Sequence, residues 1–456
     1  MTKNIVIFSD GTGQRSGERF EENRTNVYKL YRASKCGPDS SVDPNRQYAF
    51  YDPGIGTVPP KYGFFGTVWA GLYNLMCQAT GLGLTKNIED CYEAILRVYE
   101  PGDRIFLFGF SRGAYTVRCL AAVLHFCGVP RRINGEVLKK DAGTLRRLAR
   151  EAVEDVYQHV SWERKGTNKE DRYIEQRRAL AARFRSRCAS TDAYPHFIGV
   201  FDTVATVWNS ASLVVSIAMA LTCVTIASAF LHLWFGSFVA WVVLLLVFAA
   251  GFAGIWYLKT HFKVAFGLEG HPWWTTAHLN PLHMRFYDKT LNTNVGWARH
   301  ALAIDERRAD FDRVPWGNVT ELREVAAGQP DWLQQIWFAG NHADIGGGYP
   351  ETQSRLSDAA LAWMVNEATR IPDPLVVDTT VLRLYPAPGG MQHDETKSWT
   401  FRFARKIDRR IPVDARLDVN VLPRFDLSTV LHLHEEKPYR PKSLRGHEKT
   451  RVYYET

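Results

Sequence analysis

The sequence predicts an α/β fold: a mainly parallel sheet flanked by helices, with an inserted transmembrane helical hairpin. Short apolar runs at 5–8, 105–108, 196–201 and 336–339 each stop at a Ser, Gly or Asp, the pattern of buried strands closed by turns. Helical spacing separates several of them, and strands alternating with helices favour parallel pairing. Two almost wholly apolar runs, 213–235 and 238–258, break this rhythm near the middle of the chain.

The first run leads into Ser9-Asp10-Gly11-Thr12-Gly13, a strand followed by a tight loop. Residues 47–51 form a weaker strand candidate, closed by Asp52-Pro53-Gly54. From Thr85, Ile88, Cys91, Tyr92, Ile95, Val98 and Tyr99 keep helical spacing, with Thr85 as the N-cap. Pro101-Gly102-Asp103 turns the chain into the strand at 105–108, and a helix from Ser111 to about Phe126 follows at once. Residues 135–190 are rich in Arg, Glu and Ala and read as amphipathic helices capping the sheet. The strand at 196–201 ends at Asp202, and that at 336–339 ends at Gly340-Asn341-His342. Residues 357–369 are helical, and from Val376 short apolar runs alternate with Pro and Arg without defining an element. The expected organisation is a sheet domain in two parts, 1–210 and 259–370, around a hairpin at 211–258, with a C-terminal extension at 371–456.

Composition narrows the function classes. A chain of 456 residues buries a sizeable core. Its formal charge of +8 is a mild excess without a long basic run, and the densest basic patches lie at 146–150, 402–410 and 440–451. No recognition motif accompanies them, so no nucleic-acid partner is expected; each reads as solvated basic surface, with the excess suited to an anionic membrane face. The seven cysteines are scattered without a CxxC pair, which suits reduced, buried thiols. No clustered ligand spacing implies a metal or cofactor. The N-terminal segment reads as the start of a strand rather than a signal peptide. Each apolar run is long enough for a bilayer, and Gly236-Ser237 between them makes a tight hairpin. Lys259 and Lys263 follow the second run while the tip is uncharged. The expectation is therefore a cytoplasmic (inner) membrane protein with two spans, its globular part on the cytoplasmic side and its bilayer contact through 213–258.

Chemistry concentrates at Gly109-Phe110-Ser111-Arg112-Gly113. A GxSxG between a buried strand and a helix is the context of a nucleophile elbow, so the sheet is expected to be α/β-hydrolase-like, with Ser111 as nucleophile. The backbone N–H of Arg112 sits where an oxyanion donor is needed, and Gly11 and Thr12, after the first strand, supply a second. A serine needs a base. Among 14 histidines, His342 stands in a Gly-rich loop just past a strand, where open α/β sheets bind ligands; His300 is its rival. Asp202, at another strand end, gives the chain order Ser, Asp, His; Asp344 is the alternative acid. Asp10 opens a different route, an aspartate nucleophile for phosphoryl transfer, although Thr12 stands where a second aspartate is usual. A third reading is a non-catalytic scaffold, since a fold alone does not fix activity.

Phe8-Ser9-Asp10-Gly11-Thr12, Asn23-Arg24-Thr25-Asn26-Val27, Tyr51-Asp52-Pro53-Gly54-Ile55-Gly56-Thr57, the run GFSRGAYTVR at 109–118, Phe201-Asp202-Thr203-Val204, RHALAID at 299–305 and HADIGGGY at 342–349 recur here in order. Together they resemble the type VI secretion phospholipase-effector-like α/β-hydrolases over about residues 3–370. The resemblance implies a serine lipase or esterase acting on phospholipid or another ester, and it maps Ser111 onto the family's nucleophile. Asp202 and His342 carry over by motif position. The apolar hairpin departs from the common pattern and suggests a resident membrane enzyme. Tyr439-Arg440-Pro441 is kept in the tail without a counterpart to a family histidine just before it.

Overall fold

The computed structural model describes residues 2–11, 23–38, 40–54, 82–159, 169–204, 210–279, 291–311, 313, 314, 316, 330–397 and 405–455. Six strands form one sheet: β1 (Asn4–Ser9), β2 (Gln47–Asp52), β3 (Arg104–Phe110), β4 (Pro195–Phe201), β5 (Trp297–Ala303) and β6 (Leu333–Phe338). Every pairing is parallel and the spatial order is β6-β5-β4-β3-β1-β2. Strand order reverses at β1, so the crevice at the C-terminal ends of β1 and β3 is the switch point where such sheets bind ligands.

Alternation along the strands sorts side chains into two cores. Ile5, Ile7, Ile105 and Leu107 face one layer, built by α2 (Leu82–Val98) and α3 (Arg112–Cys127). Helices α4 (Ala142–Arg150) and α5 (Lys169–Cys188) add Leu145, Leu148, Leu180 and Phe184 to it. Val6, Phe8, Phe106 and Phe108 face the other layer, where α1 (Asn26–Ser34) packs Val27 and Leu30. The helix Arg355–Thr369 adds Ala360, Leu361 and Met364 there. Burial on both faces explains why these strands read as continuous apolar runs rather than alternating ones.

Two features differ from expectation. The strand β5 was not anticipated, although its residues lie in a recognised motif. It carries Arg299 and His300, both fully buried, and these polar side chains hide an otherwise apolar run. The unplaced C-terminal extension has a defined seat. Leu302 and Trp337 pack against Val421, Phe425, Tyr439 and Leu444, and the edge of β6 is covered through Trp337 N–H to Arg416 O and Asp418 N–H to Trp337 O, both 2.9 Å.

The transmembrane hairpin is corrected. Helices α6 (Ser210–Phe235) and α7 (Phe238–His261) do follow one another across Gly236 and Ser237, both with positive φ. Among the described residues, however, no helix is long and apolar enough to cross a membrane. The inferred inner-membrane location with two spans, and bilayer contact through 213–258, lose their basis with it.

Candidate active site

The elbow forms where β3 passes directly into α3. Ser111, between them, has φ 57° and ψ −119°, a region that residues with a Cβ rarely enter. The turn is tight enough that a Cβ on Gly113 would lie 2.0 Å from Ser9 O, so only glycine lets α3 start against the end of β1. Ser111 N–H donates to Phe201 O at 3.1 Å, tying the elbow to the end of β4. Ser111 opens α3 without capping it through its side chain, which leaves the helix N-terminus, with Arg112 first, directed at the site.

Asp202 follows β4 with φ 39°, and its side chain is fully buried. His342 opens the short helix α8 (His342–Gly346). Asn341 caps that helix by accepting from Ala343 N–H and Asp344 N–H, while Asp344 accepts from Asn341 N–H, a reciprocal capping box. The cap fixes the direction in which His342 leaves the backbone. Its own N–H donates to Glu306 Oε2 at 3.2 Å, and Glu306 is held by both Arg308 N–H forks at 2.8 and 2.9 Å.

The structure brings His342 and Asp202 together: Nδ1 lies 2.6 Å from Asp202 Oδ2. The rings of Phe110 and Phe311 lie 4.7 and 5.1 Å from the imidazole, centroid to centroid. Phe110 immediately precedes Ser111, so the imidazole packs beside the elbow. Gly346 permits this, since a Cβ there would sit 1.9 Å from the Phe110 ring. His342 Nε2 is buried and has no hydrogen-bond partner among the described residues. That orphaned nitrogen is the atom a general base needs free.

Burial pushes the Asp202 carboxyl up, but the Arg409 charge and the His342 hydrogen bond outweigh it and hold it well below the usual carboxylate range. Asp202 therefore stays ionised and keeps its partner imidazole oriented. Arg409 Nη1 and Nη2 reach Asp202 Oδ1 and Oδ2 at 2.5 and 2.9 Å, and Ala303 N–H adds a third donor at 3.0 Å. Sequence reasoning missed Arg409: it sits in a patch that reads as basic surface, and no motif marks it.

The alternatives go elsewhere. Asp344 pairs with a different imidazole, His393 Nδ1, at 2.7 Å. His300 lies within β5, fully buried, with Nε2 accepting from Thr203 N–H at 3.4 Å and Trp316 against its ring. Burial, with the nearby Arg118 charge, pushes it down to about 3, so it is neutral at ordinary pH. Asp10 is fully buried and accepts from Thr25 Oγ1, Tyr51 OH and Gly11 N–H at 2.5 to 2.7 Å. Burial raises it to about 6. Gly11 N–H, expected as an oxyanion donor, thus points at Asp10 in this conformation. Thr12 lies outside the described residues.

With this geometry, the comparisons can be placed. Residues 3–232 and 255–367 match the family model described as "T6SS, Phospholipase effector Tle1-like, catalytic domain". The chain belongs to that family. The family match skips 233–254, within the α6–α7 pair, and stops before the C-terminal extension that supplies Arg409. An uncharacterized protein of Saccharomyces cerevisiae is 30% identical over 210 residues, 44% of this chain and 26% of the relative. A crystal structure of an uncharacterized protein from Pseudomonas aeruginosa aligns at 16% identity and TM-score 0.39, over 84% of this chain and 48% of that one. A structure of the Tle1 effector bound to the VgrG spike from the type 6 secretion system aligns at 16% identity and TM-score 0.27, over 78% and 52%. The chain thus spans about a quarter of the yeast relative and about half of each of these structures.

Proposed function

We propose that the protein is a serine hydrolase that cleaves carboxylic esters of phospholipid or a similar lipid, with Ser111, His342 and Asp202 as its triad. Membership of a phospholipase-effector family supports the reaction class. The observation that carries the residue assignment is the His342 imidazole: Asp202 holds its near nitrogen, its far nitrogen is buried without a partner among the described residues, and its ring packs on Phe110, which precedes the strained Ser111 turn.

The chemistry follows from these groups. His342 Nε2 takes the Ser111 Oγ proton as the oxygen attacks the ester carbonyl. Asp202 accepts from Nδ1–H and stabilises the imidazolium. The developing oxyanion meets the N-terminus of α3, with Arg112 N–H as the donor that adjoins the nucleophile. The imidazolium then protonates the leaving alcohol, which departs and leaves an acyl group on Ser111. Water, deprotonated by the same imidazole, releases the acid.

The phosphatase reading is disfavoured by Asp10, which is fully buried and accepts from three donors; they brace β1 against α1 and β2. A fluorophosphonate probe tests the proposal together with fatty-acid release from mixed phospholipid vesicles. Labelling and release by wild type, both lost in Ser111→Ala, are the expected results. A folded wild-type protein that neither labels nor releases fatty acid would instead support the scaffold reading.

A further inference from the structure

The segment that follows the family-matched region runs along the loop after β5. Arg308 and Lys406 form an isolated antiparallel bridge, Ile407 N–H donates to Arg307 O at 2.8 Å, and Ala309 N–H donates to Arg405 O at 2.9 Å. This places Arg409 over the end of β4, with 7% of its surface exposed. Its fork closes on Asp202, and the same nitrogens donate to Ala303 O at 3.3 Å and Phe311 O at 2.9 Å. Phe311 is one of the two rings against His342.

We propose that Arg409 is a positioning residue of the hydrolytic site: its fork locks the Asp202 carboxylate in the orientation His342 requires. The proposal rests on the triad reading above. It follows from geometry. A planar guanidinium bonded end-on to both oxygens fixes the carboxylate plane in a way a point charge does not. Without it, Asp202 keeps one bond on each oxygen, from Ala303 N–H to Oδ1 and from His342 to Oδ2, and loses the two parallel bonds that fix its plane.

The other charged groups near His342 are engaged elsewhere: Glu306 accepts its backbone N–H and is paired with Arg308, and Arg118 donates to Val314 O at 2.7 Å. Among the described residues, Arg409 is the cation bonded directly to Asp202.

The test is kcat and KM on p-nitrophenyl butyrate for the full chain, with the hydrogen-bonded Nδ1–H proton resonance of His342 as companion. Arg409→Lys keeps the charge and loses the fork, so kcat is expected to fall at least about tenfold with KM little changed, and the proton resonance to move or broaden. In an Asp202→Asn background, Arg409→Lys is expected to add little further loss of kcat. Wild-type kcat in folded Arg409→Lys overturns the proposal, as does an unmoved resonance. The NMR readout needs no turnover, so an inactive wild type would sink the triad reading while leaving the hold of Arg409 on the pair separately measured.

Discussion

Two imidazole–carboxylate pairs lie close together in this molecule, and they differ in what surrounds them. His342 and His393 each place Nδ1 within hydrogen-bond distance of a buried aspartate, 2.6 Å from Asp202 and 2.7 Å from Asp344. In the second pair the far nitrogen is occupied, His393 Nε2 lying 3.0 Å from Gln353 Oε1, and the ring is stacked on Tyr349 at 3.5 Å. In the first the far nitrogen has no partner among the described residues, and the ring packs on Phe110, the residue before Ser111. The carboxylates also diverge. Asp202 is held low by Arg409 and His342 against its burial, whereas burial wins at Asp344 and raises it despite His393. A hydrogen-bonded His–Asp pair is thus not in itself a catalytic device; under the proposed mechanism, the orphaned nitrogen and the cation behind the acid are what would separate a reactive pair from a brace.

Breaking each pair in turn tests that distinction. His342→Asn is expected to lower kcat by a factor on the order of 10⁴ or more, as loss of a triad base does, in ester hydrolysis at a fixed pH. His393→Asn should leave kcat within about threefold of wild type and instead lower stability by about 1–3 kcal/mol, the cost of stranding buried partners, read by urea unfolding. If both variants lost activity equally while folded, the contrast between the pairs would collapse.

The buried carboxylates sharpen it further. Asp10 titrates near 6 and Asp52 near 7, both raised by burial. An acid whose folded pKa is raised binds its proton more tightly when folded, so it favours the fold below the unfolded value near 4 and loses that advantage as pH rises through the folded value. Stability should therefore decline between about pH 4 and 7, and Asp10→Asn should make the decline shallower in urea melts taken across that range. Asp202 carries the opposite sign, its contribution being lost as pH falls. The smallest effect is expected at His300. Because it is already neutral, with a pKa near 3, His300→Asn should leave the acid limb of the rate profile in place and act on stability alone.

The sequence exposed those parts of the fold and site that local chemistry encodes. Buried parallel strands appear as apolar runs, and a GxSxG after such a run shows a nucleophile elbow because the tight turn demands small residues. Asp202 and His342 drew attention because strand ends mark the ligand crevice of a parallel sheet, and the structure pairs their side chains. β5 was not, since Arg299 and His300 interrupt its apolar pattern and find partners only in the tertiary structure. Arg409 was illegible for a related reason. A buried arginine and a surface arginine look alike in sequence, and the approach of its segment depends on backbone pairing with the loop at 307–309. The α6–α7 pair teaches the reverse: apolar composition alone suggested a bilayer span that the described helices do not supply.

Mass-spectrometric mapping of a fluorophosphonate adduct bears most directly on the central claim. The account predicts an adduct on Ser111 in wild type and in His393→Asn, and its loss in His342→Asn. An adduct that survives in folded His342→Asn but disappears in His393→Asn would show that the wrong imidazole has been placed beside the nucleophile.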